Sequence, residues 1–238
     1  MTVLYFALVT VWPYGLKVAL SYDENARRIA IVSYGELALT CGKTGEFNVT
    51  IEDRRRAVSR LAHRLSDGYY AFVVANYVAA NPMSINSLPP AVSAGGNPTG
   101  RLPRKDGSFH VLDLRHYLDL FREDDGLQAD ILKGWATGAL LLLGDELERY
   151  NYFDRAPILE MVYHLRNGIA HGNQFTIKPA GRTRLATHPA HNRDAAVKSP
   201  RGVTFAIEPR ASGPVLFDYM GPADVIDLLQ SIEIHLSK

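Results

Sequence analysis

The run Pro157-Ile158-Leu159-Glu160-Met161-Val162-Tyr163-His164-Leu165-Arg166-Asn167-Gly168-Ile169-Ala170-His171, followed by Gly172, decides how this chain is read. Its apolar residues recur at helical spacing. At roughly 100° per residue, Ile158, Met161, Val162, Leu165 and Ile169 fall on one side of a helix and face a core. His164, Asn167 and His171 fall on the opposite side, one above the next, at i, i+3 and i+7. Pro157 sits in the first turn, where proline is tolerated, and Asp154 stands ahead of it as a cap. Gly172 or Asn173 can end the helix. Arg166 supplies a fixed cation and Asn167 an amide. His171 supplies an imidazole, the side chain that titrates near neutrality. These groups are the parts needed to hold and cleave a phosphodiester.

On an ideal helix Arg166, at the boundary of the two faces, and His171 point roughly 140° apart, so they form no compact pair. Two arrangements bring them together. The helix unwinds near Gly168 or ends at Gly172, freeing the imidazole. Alternatively, a second copy packs alongside and each Arg166 works with the partner's His171, which predicts a twofold dimer with a composite site. Structural roles compete with this reading. His171 is also suited to cap a helix C-terminus, Arg166 to pair with Glu160 or Asp154, and Asn167 and His164 to lie on an exposed face.

Outward from this helix, the chain reads as mainly α. Thr50-Ile51-Glu52-Asp53 is a helix start, and residues 53–80 carry apolar side chains every three to four positions, with Gly68 as a point of weakness. Residues 81–110 hold Pro82, Pro89, Pro90, Pro98 and Pro103 among glycines and read as a long loop. Residues 111–121 and 130–150 read as helices, the second buried on most of its circumference around Ala139-Leu140-Leu141-Leu142-Leu143. Residues 175–178, 203–207 and 215–219 read as short strands. Gly221-Pro222-Ala223-Asp224 opens a last helix with the stripe Val225, Leu228, Leu229, Ile232 and Leu236. The expected organisation is an apolar or helical extension over residues 1–49 packed on a helical domain over residues 50–238. That domain has a long loop at 81–110 and a β/loop insertion at 174–220.

Within the extension, residues 23–41 read as a helix that Gly42 and Gly45 interrupt. Residues 1–16 are almost wholly apolar. A buried strand or helix and a signal or membrane segment are both open there. Pro13, Gly15 and Lys17 interrupt the run before the roughly 20 residues a membrane span needs, so stable membrane insertion is not expected. The 238 residues are 47% hydrophobic, enough for a full core, and the formal charge of +1 gives no global attraction to nucleic acid. A single cysteine, Cys41, excludes an internal disulfide and a paired-cysteine zinc site, and fits a reducing, cytoplasmic setting. No phosphate-binding glycine loop, dinucleotide fingerprint or serine hydrolase elbow is present, and no cofactor is expected. His171, His188 and His191 have no carboxylate at ligand spacing, so no metal site is expected.

The stretch from Leu165 through Arg166-Asn167-Gly168-Ile169-Ala170-His171 to Gly172-Asn173 resembles the signature of the HEPN superfamily (higher eukaryotes and prokaryotes nucleotide-binding domains). That signature is an arginine followed by a polar residue, then a histidine, at the end of a bundle helix. The resemblance implies a HEPN-like antiparallel helical bundle with a small β appendage near the C-terminus and an N-terminal extension. It implies a homodimeric, metal-independent endoribonuclease of the kind found in toxin–antitoxin, phage-defence and RNA-processing systems, or a non-catalytic module binding RNA, nucleotide or protein. Carried over, His171 is the acid–base group, Arg166 holds the scissile phosphate and Asn167 supports them. An antitoxin or a nucleotidyltransferase is a further implied partner. The segment after the motif agrees: Lys178, Arg182, Arg184, Arg193, Lys198 and Arg201 stand against Asp194 alone, and Lys178, Arg182 and Arg184 are the candidate RNA-binding residues. A solvated basic loop is the competing reading of that segment. Arg54, Arg55 and Arg56, with Arg60, His63 and Arg64, form a second basic face.

Overall fold

A computed structural model of the chain describes residues 5–11, 16–23, 28–33, 50–91 and 95–238. The chain divides into two compact units, Met1–Asn48 and Val49–Lys238. The first is an antiparallel meander of β1 (Tyr5–Val11), β2 (Leu16–Asp23) and β3 (Arg28–Ser33), with Leu8 opposite Ala19 and Leu20 opposite Ile31. A strand therefore stands where residues 23–41 read as a helix. Ile29, Ile31 and Val32 are β-branched, which favours extended backbone over helix. Cys41, Gly42 and Gly45 lie outside the described residues.

The second unit is mainly helical with small two-stranded sheets. Helix α1 (Ile51–Ala80) starts on a capping box: Thr50 Oγ1 accepts from Asp53 N at 3.1 Å and Asp53 Oδ2 accepts from Thr50 N at 3.2 Å. Gly68 does not interrupt it. α2 (Leu114–Glu123), α3 (Asp125–Arg149), α4 (Pro157–Ala170), α5 (Pro179–Thr187) and α6 (Pro222–Leu236) follow. α1, α3, α4 and α6 pack on one another. Their shared core includes Val58 and Ala62 of α1, Leu140, Leu143 and Leu147 of α3, Leu159, Val162 and Leu165 of α4, and Leu229 and Ile232 of α6. The three- and four-residue spacing of these side chains is what turns each helix to this core. Among the described residues no helix is long and apolar enough to cross a membrane.

Part of the stretch 81–110 is regular structure and not loop. Asn81 Oδ1 accepts from Met83 N at 2.9 Å and starts a short 3₁₀ helix, Pro82–Ser87. Beyond it, β4 (Thr99–Pro103) and β5 (Phe109–Asp113) form a hairpin. Prolines fit because a two-stranded ribbon has only edge strands, whose outward N–H groups need no partner. Arg122 of α2 ties this region to α1, donating Nε to Ala79 O at 2.9 Å and Nη2 to Ser84 Oγ at 2.6 Å.

Two features position the end of α4. The first is the turn before it. Asn151, Tyr152 and Phe153 are consecutive left-handed residues (φ 49°, 57° and 48°), and Arg155 follows at 53°. Left-handed backbone costs about 1–2 kcal/mol per residue without glycine. It is offset here by the Tyr152 side chain, which is buried and donates its hydroxyl to Gly144 O at 3.3 Å. Asp154 therefore lies ahead of the cap position, which is held by Ala156. Asp154 accepts from Ala156 N at 3.1 Å instead of capping the helix. The second feature is a hairpin of β6 (Gln174–Thr176) and β7 (Ser212–Pro214) that lies against α4. β7 precedes the strand expected at 215–219, and the one expected at 203–207 is reduced to a bridge from Ala206 to His191. α4 runs unbroken through Gly168. A Cβ there would stand 2.6 Å from Val215 Cγ2 and 3.3 Å from Gln174 O, so this glycine admits the hairpin and does not unwind the helix.

Gly168→Ala is therefore expected to destabilise the fold by about 1–3 kcal/mol, the usual cost of overpacking, although alanine is the better helix former. A urea midpoint that falls while the m-value holds checks this. An unchanged or higher midpoint means that the hairpin is not seated on Gly168.

Candidate functional site

The last two turns of α4 carry the motif, and the elements around them divide it. Arg166 turns toward α3. It donates from Nε and Nη2 to Asp145 Oδ1 at 2.9 and 2.6 Å, and Nη2 stands 3.6 Å from Glu148 Oε2. Gly144 makes this path possible, because a Cβ there would meet Arg166 Cγ at 2.6 Å. The Asp145 bonds hold the arginine's pKa above its ordinary value against some loss of solvent, with the charges of Asp145 and Glu148 adding to them. The partners expected from spacing, Glu160 and Asp154, are occupied elsewhere. Asp154 accepts from Arg55 at 3.2 Å and lies 3.0 Å from His235 Nε2.

Asn167 and His171 turn the other way, into a cleft of about 200 Å³. Tyr163, His164, Gly168, Phe175, Ile177 and Lys178 also line it, with the first turn of α5 closing one side. Asn167 joins the two flanks: its Oδ1 accepts from Arg166 Nη1 at 3.3 Å. His171 is exposed and is the C-cap of α4, its backbone N–H donating to Asn167 O at 3.2 Å. It thus has the capping position and the open cleft together. Gly172 (φ 82°) and Asn173 (φ 60°) then turn the chain away in left-handed conformations, as a helix end requires. Asn173 is a clamp that spacing did not reveal. It donates Nδ2 to Leu216 O at 2.6 Å and accepts from Leu216 N at 2.8 Å.

The basic segment after the motif is a loop only in part: Arg193, Lys198 and Arg201 stand exposed on irregular chain, but its first half is helical. Residues 179–187 form α5, which lies over α4. Arg184, expected among the RNA-binding residues, is committed to the protein: Nε and Nη2 donate to Glu160 at 2.5 and 2.9 Å, and the guanidinium lies 3.6 Å from the Tyr163 ring centroid. Burial opposes its charge, but the bonds and charge of Glu160 outweigh this and raise its pKa. Lys178 and Arg182 remain exposed, Arg182 donating Nε to Ile177 O at 3.1 Å. His164, expected on an exposed face, is only 2% exposed because α5 covers it. Its Nε2 is buried without a hydrogen-bond partner. Burial pushes its pKa down to about 4, with Glu160 opposing and Arg184 adding to the shift.

A larger cleft, about 510 Å³, lies between the start of α1, the turn that joins α3 to α4 and the end of α6. Its central carboxylate, Asp154, is already satisfied by Arg55 and His235, so the smaller cleft is the better site. Among the described residues no group of three or more histidine, cysteine or carboxylate side chains is placed to hold a metal ion. No family model matches the chain, and neither a curated protein nor a solved structure does.

Two outcomes follow from the buried charges. Arg184→Ala strands a fully buried carboxylate and should cost about 3–5 kcal/mol, whereas replacing Glu160 and Arg184 together by methionine recovers most of that loss. Equal losses in the single and double variants would show that packing, not charge, is what matters there. His164 sets a pH dependence. Above pH 6.5 its imidazole is neutral in both states; between 6.5 and about 4 the unfolded chain takes up a proton that the folded chain refuses. Stability therefore falls as pH drops through that window, by at most about 1.4 kcal/mol per pH unit. Urea midpoints across the window should show this slope flattened in His164→Leu; an unchanged slope assigns it to other groups.

Proposed function

We propose that this chain is a HEPN-like endoribonuclease that cleaves RNA without a metal ion, in a site shared between two copies. The observation that carries the reading is the division of the motif. Arg166 and His171 both reach the surface at one end of α4, on different flanks, with Asn167 bonded to one and sharing a cleft with the other. Alone, one copy offers a cation on one flank and a base on the other. A twofold partner laid across this end sets the partner's His171 against Arg166, and the reverse. Leu142, 58% exposed three residues before Asp145 on α3, gives the Arg166 flank an apolar contact that such a partner can cover. The mainly helical unit in which α1, α3, α4 and α6 pack together is compatible with the bundle that the motif's resemblance implies.

The chemistry needs little else. His171 takes the proton of a ribose 2′-OH, and the oxygen attacks the adjacent phosphorus. The bond to the 5′-oxygen breaks, that oxygen regains a proton, and a 2′,3′-cyclic phosphate remains. Arg166 faces the negative charge that builds on the phosphate, and Asn167 orients it. Lys178 and Arg182, exposed beside the cleft, meet neighbouring phosphates. On this reading the protein is a cytoplasmic toxin or phage-defence effector, held in check by an antitoxin or a nucleotidyltransferase partner. One observation favours a second reading, a non-catalytic HEPN-like module that binds RNA, nucleotide or protein: Asp145 and Glu148 already neutralise Arg166.

The purified chain in chelator is expected to cut mixed-sequence RNA to 2′,3′-cyclic phosphate ends and to leave DNA intact. His171→Ala, matched in folding by circular dichroism, should lose roughly 10²–10⁴-fold. Mixing inactive Arg166→Ala and His171→Ala chains should restore roughly a quarter of the wild-type rate, because half the dimers are mixed and each mixed dimer has one intact site. No cutting by the wild type favours the binding module. Equal cutting by His171→Ala removes this site from the reaction, and no recovery on mixing removes the shared site.

A further inference from the structure

The exposed face of α1 changes character halfway along the helix. At roughly 100° per residue, Arg56, Arg60, His63, Arg64 and Asp67 share one side of the first half, and all five are exposed. The same side of the second half carries Tyr70, Ala71, Val74, Ala75, Tyr77 and Val78, which are exposed as well. Val74 is 60% and Tyr77 77% exposed. A face that meets only water has no reason to lose its charge in mid-helix. No aspartate, glutamate, lysine, arginine or histidine occurs between Asp67 and Arg101. Nor is any described residue from Tyr70 to Gly134 buried. That stretch runs from the end of α1 through β4, β5 and α2 to the start of α3. Chain ordered without burial has little to offset its lost conformational entropy, and exposed apolar patches mark interaction sites.

Charge and shape identify what covers this face. RNA needs cations, and the face has none. An anionic bilayer needs a basic surface, but residues 70–134 hold six lysines and arginines against seven aspartates and glutamates. A second copy of the same face meets no like charge, as a contact of one patch with itself requires. The shape is self-complementary too. Beside the face, Val73, Asn76, Tyr77 and Ala80 of α1 and Gln128 and Leu132 of α3 line a groove of about 250 Å³. Apolar walls with two amides suit the ring and hydroxyl of a tyrosine. Tyr77, the most exposed large side chain of the face, stands at the rim. The direction of pairing follows from the basic half of α1. Two helices laid antiparallel about Val74 set residues 68–80 against one another and carry the basic halves to opposite sides. A parallel pair would set Arg60 and Arg64 beside their own copies. Antiparallel helices also oppose their dipoles favourably.

We propose that the second half of α1 is a self-association surface, on which the same face of a second copy packs antiparallel about a twofold axis at Val74, with Tyr77 of each copy against the groove of the other. A single helical contact of this length is small beside the roughly 1,200–2,000 Å² of a stable interface, so the dimer is a weak one, with a Kd on the order of micromolar. The pairing uses no residue of α4 and does not rest on the ribonuclease reading.

The test is the mass of the full chain by light scattering across roughly 1–100 µM, where the wild type should pass from monomer to dimer. Val74→Glu and Val74→Lys change an exposed position, so both should fold and melt as the wild type does. Each alone should weaken the dimer at least about tenfold, because the axis sets the new charge against its own copy. Mixed together, the two should recover a dimer, since glutamate then faces lysine. Such recovery belongs to a pairing in which residue 74 meets itself. Tyr77→Arg should weaken the dimer by a similar factor. Arg166→Ala and His171→Ala should leave it unchanged, so failure here is distinct from failure to cut RNA. A wild type still monomeric at about 100 µM overturns the proposal, and so does the absence of recovery on mixing. A dimer that survives Val74→Glu and yields to Leu142→Glu also overturns it and puts the contact at the end of α4. A monomer that floats with phosphatidylcholine vesicles, and no longer does so in Val74→Glu, assigns the face to a bilayer and overturns self-association.

Discussion

Glu160, a carboxylate with no solvent exposure in the first turn of α4, is the constraint on which the candidate site rests. A buried charge is tolerable only with a partner and hydrogen bonds. Arg184 supplies both, and the aromatic rings of Tyr163 and Tyr152 flank its guanidinium at 3.6 and 4.9 Å. Helix α5 itself contributes a single buried residue, Leu185, so apolar burial alone gives it little reason to lie where it does. The ion pair draws it across α4. Once there, it covers His164 and forms the second wall of the cleft that holds Asn167 and His171. Through Tyr152, the same arginine also touches the left-handed turn that aims α4.

Two glycines do complementary work on the flanks of the motif. Gly144 lowers one wall of α3 so that the stem of Arg166 can cross it, and Gly168 lowers the surface of α4 so that the β6–β7 hairpin can approach. Each would bring a Cβ within 2.6 Å of its neighbour. The two glycines let each flank of the helix meet its neighbour closely, while the helical period already points the cation and the imidazole apart. Asn167, between them in sequence, remains the one side chain bonded to Arg166 and present in the cleft. The order Arg-Asn-x-x-x-His thus places three polar groups around one helix end, with the amide as the link.

The long helices were legible because their signals are local and add along the chain. The capping box at Thr50 marked the start of α1 within one residue, and the apolar periods of α4 and α6 named the core that is observed. In α3 the run Ala139 to Leu143 misled: one stripe, Ala136, Ala139, Leu140, Leu143 and Leu147, is buried, and Leu142 is exposed. Residues 81–110 were misread because proline content argues against central strands, and the β4–β5 ribbon has only edges. α5 was misread as a basic loop because its pattern lacks an apolar face. Its place depends on Glu160, which lies 24 residues away along the chain. The same distance hid the burial of His164: spacing put it on the polar side of α4, and no local rule says that another helix covers that side.

Sequence alone determined that this chain has a helical core, that one helix ends in an arginine, an asparagine and a histidine, and that the arginine and histidine point apart. Those follow from the helical period and from helix-end chemistry, which act over a few residues. Tertiary structure decided what surrounds that end. It gave Arg166 its carboxylates, took Arg184 away from solvent and buried His164. Each of these depends on groups far apart in the chain meeting in space. Burial and the pairing of charge are properties of the packed molecule, and no stretch of residues carries them by itself.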